Sequence, residues 1–308
     1  MSALTEFAAG SSGASESRNG VTLSCCLVPI LLAFRSLEEL LGNDTKYTPA
    51  NPEQARLLAS EYWGERSSLA SKFKTAELRG LASRSIAELN RLLEQAGYPI
   101  RLAQGQGNDF GAVAFQDVSV QWQQLGTARP IHLGGIEYHG FVLKGDAVKI
   151  GRSDRHPKPI AVITTANGDT VSMTRVNQVL NTWQLLDLYT TLSESKLGKD
   201  DSSYEGVHVP KVCLDQEVDL SWLEGLALQG SEDGGRVSQA KQFTRLRMNE
   251  FGARAASGFA VAVMRSMPSY LTMDGPFVLI MERPGVKTPT FLGVIDTDSF
   301  KDPGQLSR

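Results

Sequence analysis

The chain has 308 residues, of which 41% are apolar and 21% charged, and its net charge is −3. That length suffices for one large core or two ordinary ones. The charge balance excludes a polybasic nucleic-acid binder and a polyacidic tail. The longest apolar run, Cys25 to Phe34, is far too short to span a bilayer.

Met1 to Asn19 is rich in Ser, Gly and Ala, the composition of a disordered leader rather than of a signal peptide. Cys25 and Cys26 are adjacent in the apolar run and Cys213 is far away. Buried free thiols are expected, with no disulfide and no metal site. That usage suits a reducing compartment such as the cytoplasm. From Val21 to Leu41 the apolar pattern predicts a helix ending at Gly42. Asn43 to Asn51 is a polar loop. Pro52 to Tyr98 is expected to be mostly helix, and its strongest piece is ELRGLASRSIAELNRLLEQAG, stopped by Gly97.

The texture then changes. AVAFQDVSVQW (112–122), GIEYHGFVLKG (135–145) and PIAVITT (159–165) read as strands. Asn167-Gly168, between PIAVITT and TVSMTRV, predicts a hairpin. VNQVLNTWQLLDLYTTL (176–192) has helical spacing. GVHVPKVCL reads as a strand in which Pro210 marks an edge or a bulge. VDLSWLEGL predicts a short helix, and GPFVLIMER and TPTFLGVID are two closing strands. Helices come first and strands follow, which is the order of an α+β fold. No internal repeat or linker is visible, so residues 20–308 read as one domain.

Enzyme signatures are weak. Gly105, Gly107 and Gly111 in AQGQGNDFG lack dinucleotide spacing and follow a helix, so a turn is the reading. There is no GxSxG elbow and no HExxH. His132, His139, His156 and His208 are scattered, and Asp154 with His156 reads as a solvated loop. Lys72, Lys74, Arg79 and Arg84 read as a solvated helix face rather than a polyanion site. No enzyme activity and no cofactor is expected.

One stretch stands apart: EFGARAASGFAVAVMRS, residues 250–266. It is too long for a hairpin turn, too apolar for a solvated loop, and too small in its side chains for a core layer. Its odd positions, Ala253, Ala255, Ser257, Phe259, Val261 and Val263, form one face that is small and then apolar. Its even face carries the single charge, Arg254. That alternation suits a half-buried strand, yet Gly252 and Gly258 weaken strand propensity.

These residues carry a resemblance. Glu250-Phe251-Gly252-Ala253-Arg254-Ala255-Ala256-Ser257-Gly258 resembles the hinge of the serpins, a family of serine protease inhibitors. VSQAKQFTRLRMNE is similar to the central-sheet strand that leads into that hinge. VHVPKVCLDQEVDLSWLEGLAL resembles the family's strand-Pro-Lys segment. GPFVLIMERPGVKTPTFLGVIDTDSF resembles its last two strands. The motifs fall in order over residues 159–308. Phe251, Arg254 and Gln242 depart from common family choices, a His being usual where Gln242 stands. In the divergent amino-terminal half, Ser24 resembles a serine beneath the central sheet and Trp122 the tryptophan at its top.

The resemblance implies a serpin-like fold, with helices packed on large sheets and an exposed loop that baits a protease. Cleavage forms an acyl-enzyme, and the freed loop enters the central sheet as a strand. On that basis the hinge is Glu250, Gly252, Ala253, Ala255, Ala256, Ser257 and Gly258. The scissile bond is Arg265–Ser266 counting back from Pro276-Phe277, or Ser266–Met267 counting forward from Gly252, with Met264–Arg265 a third possibility. Arg265 suits the acidic pocket of a trypsin-like serine protease. The implied protein acts as a monomer, with a protease and no nucleic acid or membrane as partner. A serpin-fold protein that binds without inhibiting is the alternative, and an unrelated α+β enzyme is a third class.

Overall fold

The computed structural model describes residues 23–104, 110–117, 119–177, 180–194, 197–198, 201, 203–230, 234–252 and 269–304. In it the apolar run becomes a helix buried on nearly every side. In chain order, a short strand β1 (Leu23–Ser24) leads into α1 (Leu27–Leu41), then β2 (Lys46–Thr48), α2 (Pro52–Ala59), α3 (Glu61–Glu65), β3 (Leu78–Ser83) and α4 (Ile86–Gln95). Next come β4 (Gly111–Gln116), β5 (Thr127–Ala128), β6 (Ile131–Leu133), β7 (Ile136–Tyr138), β8 (Gly140–Lys144), β9 (Val148–Gly151), β10 (Ile160–Thr164), β11 (Thr170–Arg175) and α5 (Thr182–Glu194). The chain closes with β12 (Gly206–Pro210), β13 (Val212–Asp219), β14 (Ala227–Gln229), β15 (Gly234–Arg236), β16 (Lys241–Met248), β17 (Tyr270–Thr272), β18 (Phe277–Glu282) and β19 (Phe291–Ile295).

The largest sheet has six strands in the order β1-β19-β18-β11-β10-β9. Its centre is buried on both faces. Val278 and Ile280 of β18 join the core around α1, and Phe277, Leu279 and Met281 join a second core on the other side. This explains the uninterrupted FVLIM, since a strand covered on both sides has no polar face to supply. A four-stranded sheet, β17-β12-β8-β5, borders the second core. Two further pairs, β3-β4 and β13-β16, lie over α1 and β18–β19. This is an α+β fold, as the order of helices and strands implies.

Several expected elements change in detail. The helix expected from Val21 begins at Leu27, because Leu23 and Ser24 pair with Val294 and Gly293. Its start is uncapped by any side chain, and it ends at Gly42 (φ 109°), whose N–H donates to the Glu38 carbonyl at 2.9 Å. ELRGLASRS is a strand, β3, not a helix. Leu78, Gly80 and Ala82 alternate against Gln116, Ala114 and Ala112 of β4, and that pairing outweighs the helix propensity of Leu, Ala, Glu and Arg. The helix proper starts after Ser85, an N-cap whose hydroxyl accepts from Glu88 N, while Ser85 N donates to Ser83 Oγ. It stops as expected at Gly97 (φ 74°), with Tyr98 N donating to the Leu93 carbonyl.

GIEYHGFVLKG breaks at His139 into β7 and β8. GVHVPKVCL breaks at Lys211 into β12 and β13, which belong to different sheets. Pro210 lacks an N–H and ends the first of these. VDLSWLEGL is the end of β13 plus a single 3-10 turn, Ser221–Leu223. The helix expected from Val176 is described from Thr182 to Glu194. The Asn167-Gly168 hairpin forms as read, with Thr164 opposite Thr170 and Gly168 at φ 83°. The leader Met1 to Asn19 lies outside the described residues.

Candidate functional site

The two strand pairs over α1 do not join. β4 pairs with β3 on one edge, and β16 pairs with β13 on one edge. Among the described residues neither has a partner on its other edge. Both free edges border one cleft of about 1050 Å³, floored by Pro29, Ile30, Ala33 and Leu37 of α1 and by Phe291.

The two walls share a pattern. In β16, Gln242, Thr244, Leu246 and Met248 are buried, while Lys241 and Arg245 are exposed. In β4, Ala114 packs toward the α1 core, whereas Val113 and Phe115 pack with Ile86, Leu89 and Leu93 of α4 on the outer side. Small residues let the sheet approach the helix. A Cβ at Gly80 would stand 2.5 Å from Ser36 Oγ and 2.8 Å from Leu32 Cγ. On the outer side, Tyr98 spans the cleft, its ring 5.5 Å from Phe115 and 6.2 Å from Phe243.

At the head of the cleft the chain reverses. Asn249 and Gly252 exchange backbone hydrogen bonds, Asn249 N to Gly252 O at 3.1 Å and Gly252 N to Asn249 O at 3.2 Å. Asn249 Oδ1 accepts from Phe251 N at 3.0 Å and tightens the turn. Gly252 also bridges to Gln121, beyond the end of β4, in antiparallel sense. It therefore sits between the two walls. Only glycine fits there. Its φ is 135°, and a Cβ would lie 2.5 Å from the Val120 carbonyl oxygen and 2.9 Å from Gln121 Cα.

The turn is fastened from several sides. Trp122, 4% exposed, donates its indole N–H to the Asn249 carbonyl at 2.9 Å. Gly126 N donates to the Glu250 carbonyl at 2.7 Å, and a Cβ on Gly126 would press on Glu250. Lys211 Nζ lies 2.9 Å from both Glu250 Oε2 and Asp302 Oδ2. Burial alone would lower the Lys211 pKa, but the bonds to Asp302 and Glu250 outweigh it and hold it above the usual lysine value.

Ser24, likened to a serine beneath the central sheet, is fully buried, and Gln242 lines the cleft. Ser24 Oγ donates to Gln216 Oε1 at 3.0 Å, and Gln242 Nε2 donates to the Cys26 carbonyl at 2.8 Å. Gln242 Oε1 is buried without a partner among the described residues. Burial pushes the Cys26 thiol up to about 11, only partly offset by hydrogen bonds with Leu292 and Thr244. Cys25 and Cys26 are buried free thiols, and Cys213 is free and half-buried.

Of the residues expected to form a hinge, Glu250 and Gly252 lie in the turn at the head of the cleft. Ala253, Ala255, Ala256, Ser257 and Gly258 lie outside the described residues, as do Arg265, Ser266, Met267 and Met264. Of the other residues carried by the resemblance, Gln242 lines the cleft and Trp122 bonds to the turn, whereas Ser24 is tied to Gln216. Sequence reasoning missed Gln121, Gly126 and Asp302. Gly126 and Asp302 stand in loops with no periodic signal, and only the folded chain brings them to the turn.

No family model and no curated protein sequence matches this chain. Solved structures do. A serpin from Schistosoma mansoni has a TM-score of 0.55 at 12% identity, over 91% of this chain and 96% of that one. SRPN18 from Anopheles gambiae has 0.55 at 10% identity, over 92% and 94%. The thermophilic serpin Tengpin, in its native state, has 0.51 at 10% identity, over 92% and 90%. The chain has the serpin fold.

Proposed function

We propose that this protein is a suicide-substrate inhibitor of a trypsin-like serine protease, acting as a single domain of residues 20–308 and as a monomer. The observation that carries the reading is Gly252, turned back from β16 and bridged to Gln121 at the head of the cleft. Among the described residues, the edges of β4 and β16 that border the cleft have no strand partner, which leaves room for one more strand.

The register extends the argument. With Asn249 opposite Gly252, continuing the ladder sets Ala253 opposite Met248, Ala255 opposite Leu246, Ser257 opposite Thr244 and Phe259 opposite Gln242. These four odd positions then share a face with the buried β16 side chains Met248, Leu246, Thr244 and Gln242. This agrees with the inward odd face read from the sequence. Arg254 and Ala256 would face outward beside Arg247 and Arg245. Ser257 would meet the Thr244 hydroxyl, the kind of cross-strand pair that favours registry.

In the proposed chemistry, the protease serine attacks the Arg265 carbonyl. The Arg265–Ser266 bond breaks, an ester forms, and the Ser266 amine leaves with the proton taken from the serine. Insertion then competes with hydrolysis of that ester. A second reading, a binding protein that does not inhibit, has one observation in its favour. Gly252 is already engaged with both walls, so less energy is left to release on cleavage.

Incubation with trypsin and a denaturing gel separates the two. A covalent band larger than either protein, absent in Arg265→Ala, is the expected result. Clean cleavage with active protease released favours the binding protein. A released fragment beginning at Met267 would move the bait bond to Ser266–Met267. The arginine pairs also give a finer test. Ala253→Arg brings an unpaired charge to an inward position, at a cost of order several kcal/mol, and should turn the inhibitor into a substrate. Ala256→Arg, on the outward face, should still trap protease.

A further inference from the structure

We propose that residues 300–304 form a strap that holds the hinge turn, with Asp302 as its positioning residue. The proposal rests on reading residues 249–252 as the point where a strand enters the cleft.

The strap has an anchor and a path. After β19, Asp296 Oδ1 accepts from Thr297 N at 2.6 Å and starts a 3-10 turn, Thr297–Ser299. Phe300 follows, 4% exposed, with its ring 5.6 Å from Tyr138 and 6.0 Å from Phe277. This fixes one end of the segment in the core between the sheets. Beyond it the chain passes beside the turn at the surface, with Lys301, Asp302 and Gly304 exposed and Pro303 half-buried. Asp302 Oδ2 accepts from Lys211 Nζ at 2.9 Å, and Asp302 Oδ1 accepts from Gly304 N at 2.9 Å. Pro303, between them, lines the cleft.

The contact reaches the turn through one amide. Gly304 O accepts from Asn249 Nδ2 at 3.4 Å, while Oδ1 of the same side chain accepts from Phe251 N at 3.0 Å. The strap therefore orients the Asn249 amide, and that amide shapes the turn that presents Gly252. A second route runs through Lys211, whose side chain is 12% exposed and whose other partner is Glu250 within the turn, 14% exposed. One partly buried ammonium ties the strap and the turn together. Loss of Asp302 frees the Gly304 carbonyl from its position and leaves Lys211 with Glu250 alone.

The test is amide hydrogen exchange of the full chain, read at Gly252 and Gly126, whose N–H groups close the turn. Asp302→Ala should speed exchange at both by about three- to tenfold, the effect expected for a partly exposed ion pair plus one hydrogen bond. Asp302→Asn, which keeps an acceptor for Gly304 N, should fall between. Adding Asn249→Ala to Asp302→Ala should add less than it does alone, since both act through one amide. Lys301→Ala, on the same segment and exposed, should change nothing. Unchanged exchange in Asp302→Ala, additivity of the pair, or an equal effect of Lys301→Ala would each overturn the strap. The readout uses no protease, so a missing covalent complex would count against the inhibitor reading alone.

Discussion

The six-stranded sheet and the split sheet are finished differently. In the first, β18 lies between β11 and β19, pairs along its whole length with β11 and over Phe277–Met281 with β19, and buries both faces. In the second, β4 and β16 each keep one ladder, and their remaining edges face a cleft. Unpaired edges are a hazard that folded proteins normally cover or blunt. Among the described residues both edges here stay open, beside buried side chains of β16, and the turn at Asn249–Gly252 stands at their head. The closed sheet satisfies both edges of its central strand, and on the proposed function the split sheet would receive a strand.

Core truncations sharpen that contrast, and these carry the largest effect. Leu279→Ala, in the closed sheet and fully buried, should cost roughly 2–5 kcal/mol by denaturant unfolding. Leu246→Ala, on the cleft wall, should cost less, about 1–2 kcal/mol, because its surroundings can relax into the cleft. Equal losses would mean that the cleft is packed as tightly as the closed sheet. Next in size is the turn at Gly252. Gly252→Ala places a Cβ against the Val120 carbonyl at a φ of 135° and should cost about 1–3 kcal/mol. Gly64→Ala, a helical site with open space around it, should be neutral or slightly stabilising.

The smallest effect is in the pH dependence of the clasp. Burial alone would raise the Asp302 carboxyl, but bonds from Lys211 and the Gly304 amide outweigh it and hold it below its usual 3.8. Its contribution is therefore present above that value and is lost as pH falls through the lowered pKa. Lys211 is held above its usual 10.5, so its contribution is present below that value and lost as pH rises past it. The stability difference between the native chain and Asp302→Asn should thus be largest near neutrality, at under about 1 kcal/mol, and shrink in acid. A difference that stays constant from neutral to strongly acidic pH would remove Asp302 from the clasp.

Much of this was legible in the sequence, and the misses have physical causes. The α+β class, the closing strands and the hairpin at Asn167-Gly168 follow from local pattern. ELRGLASRS misled because its residues favour helix one by one. It is a strand because Ala112 and Ala114 pair with it above α1, a non-local fact. Lys211 sat inside a quoted motif, but its two acids came from distant segments, Glu250 and Asp302. The Asn249 amide, the Gly126 approach and the Gln121 bridge are likewise products of folding and have no sequence period.

The central claim is that the cleft between β4 and β16 is completed by the chain that follows Gly252. It is tested by comparing the thermal unfolding of the intact protein with that of protein nicked once in residues 264–267. If the freed strand fills the cleft, it adds ladder hydrogen bonds on both edges and buries Phe259, Val261 and Val263. The account predicts that the nicked protein melts at a clearly higher temperature. A nicked protein that melts at the same or a lower temperature would contradict it.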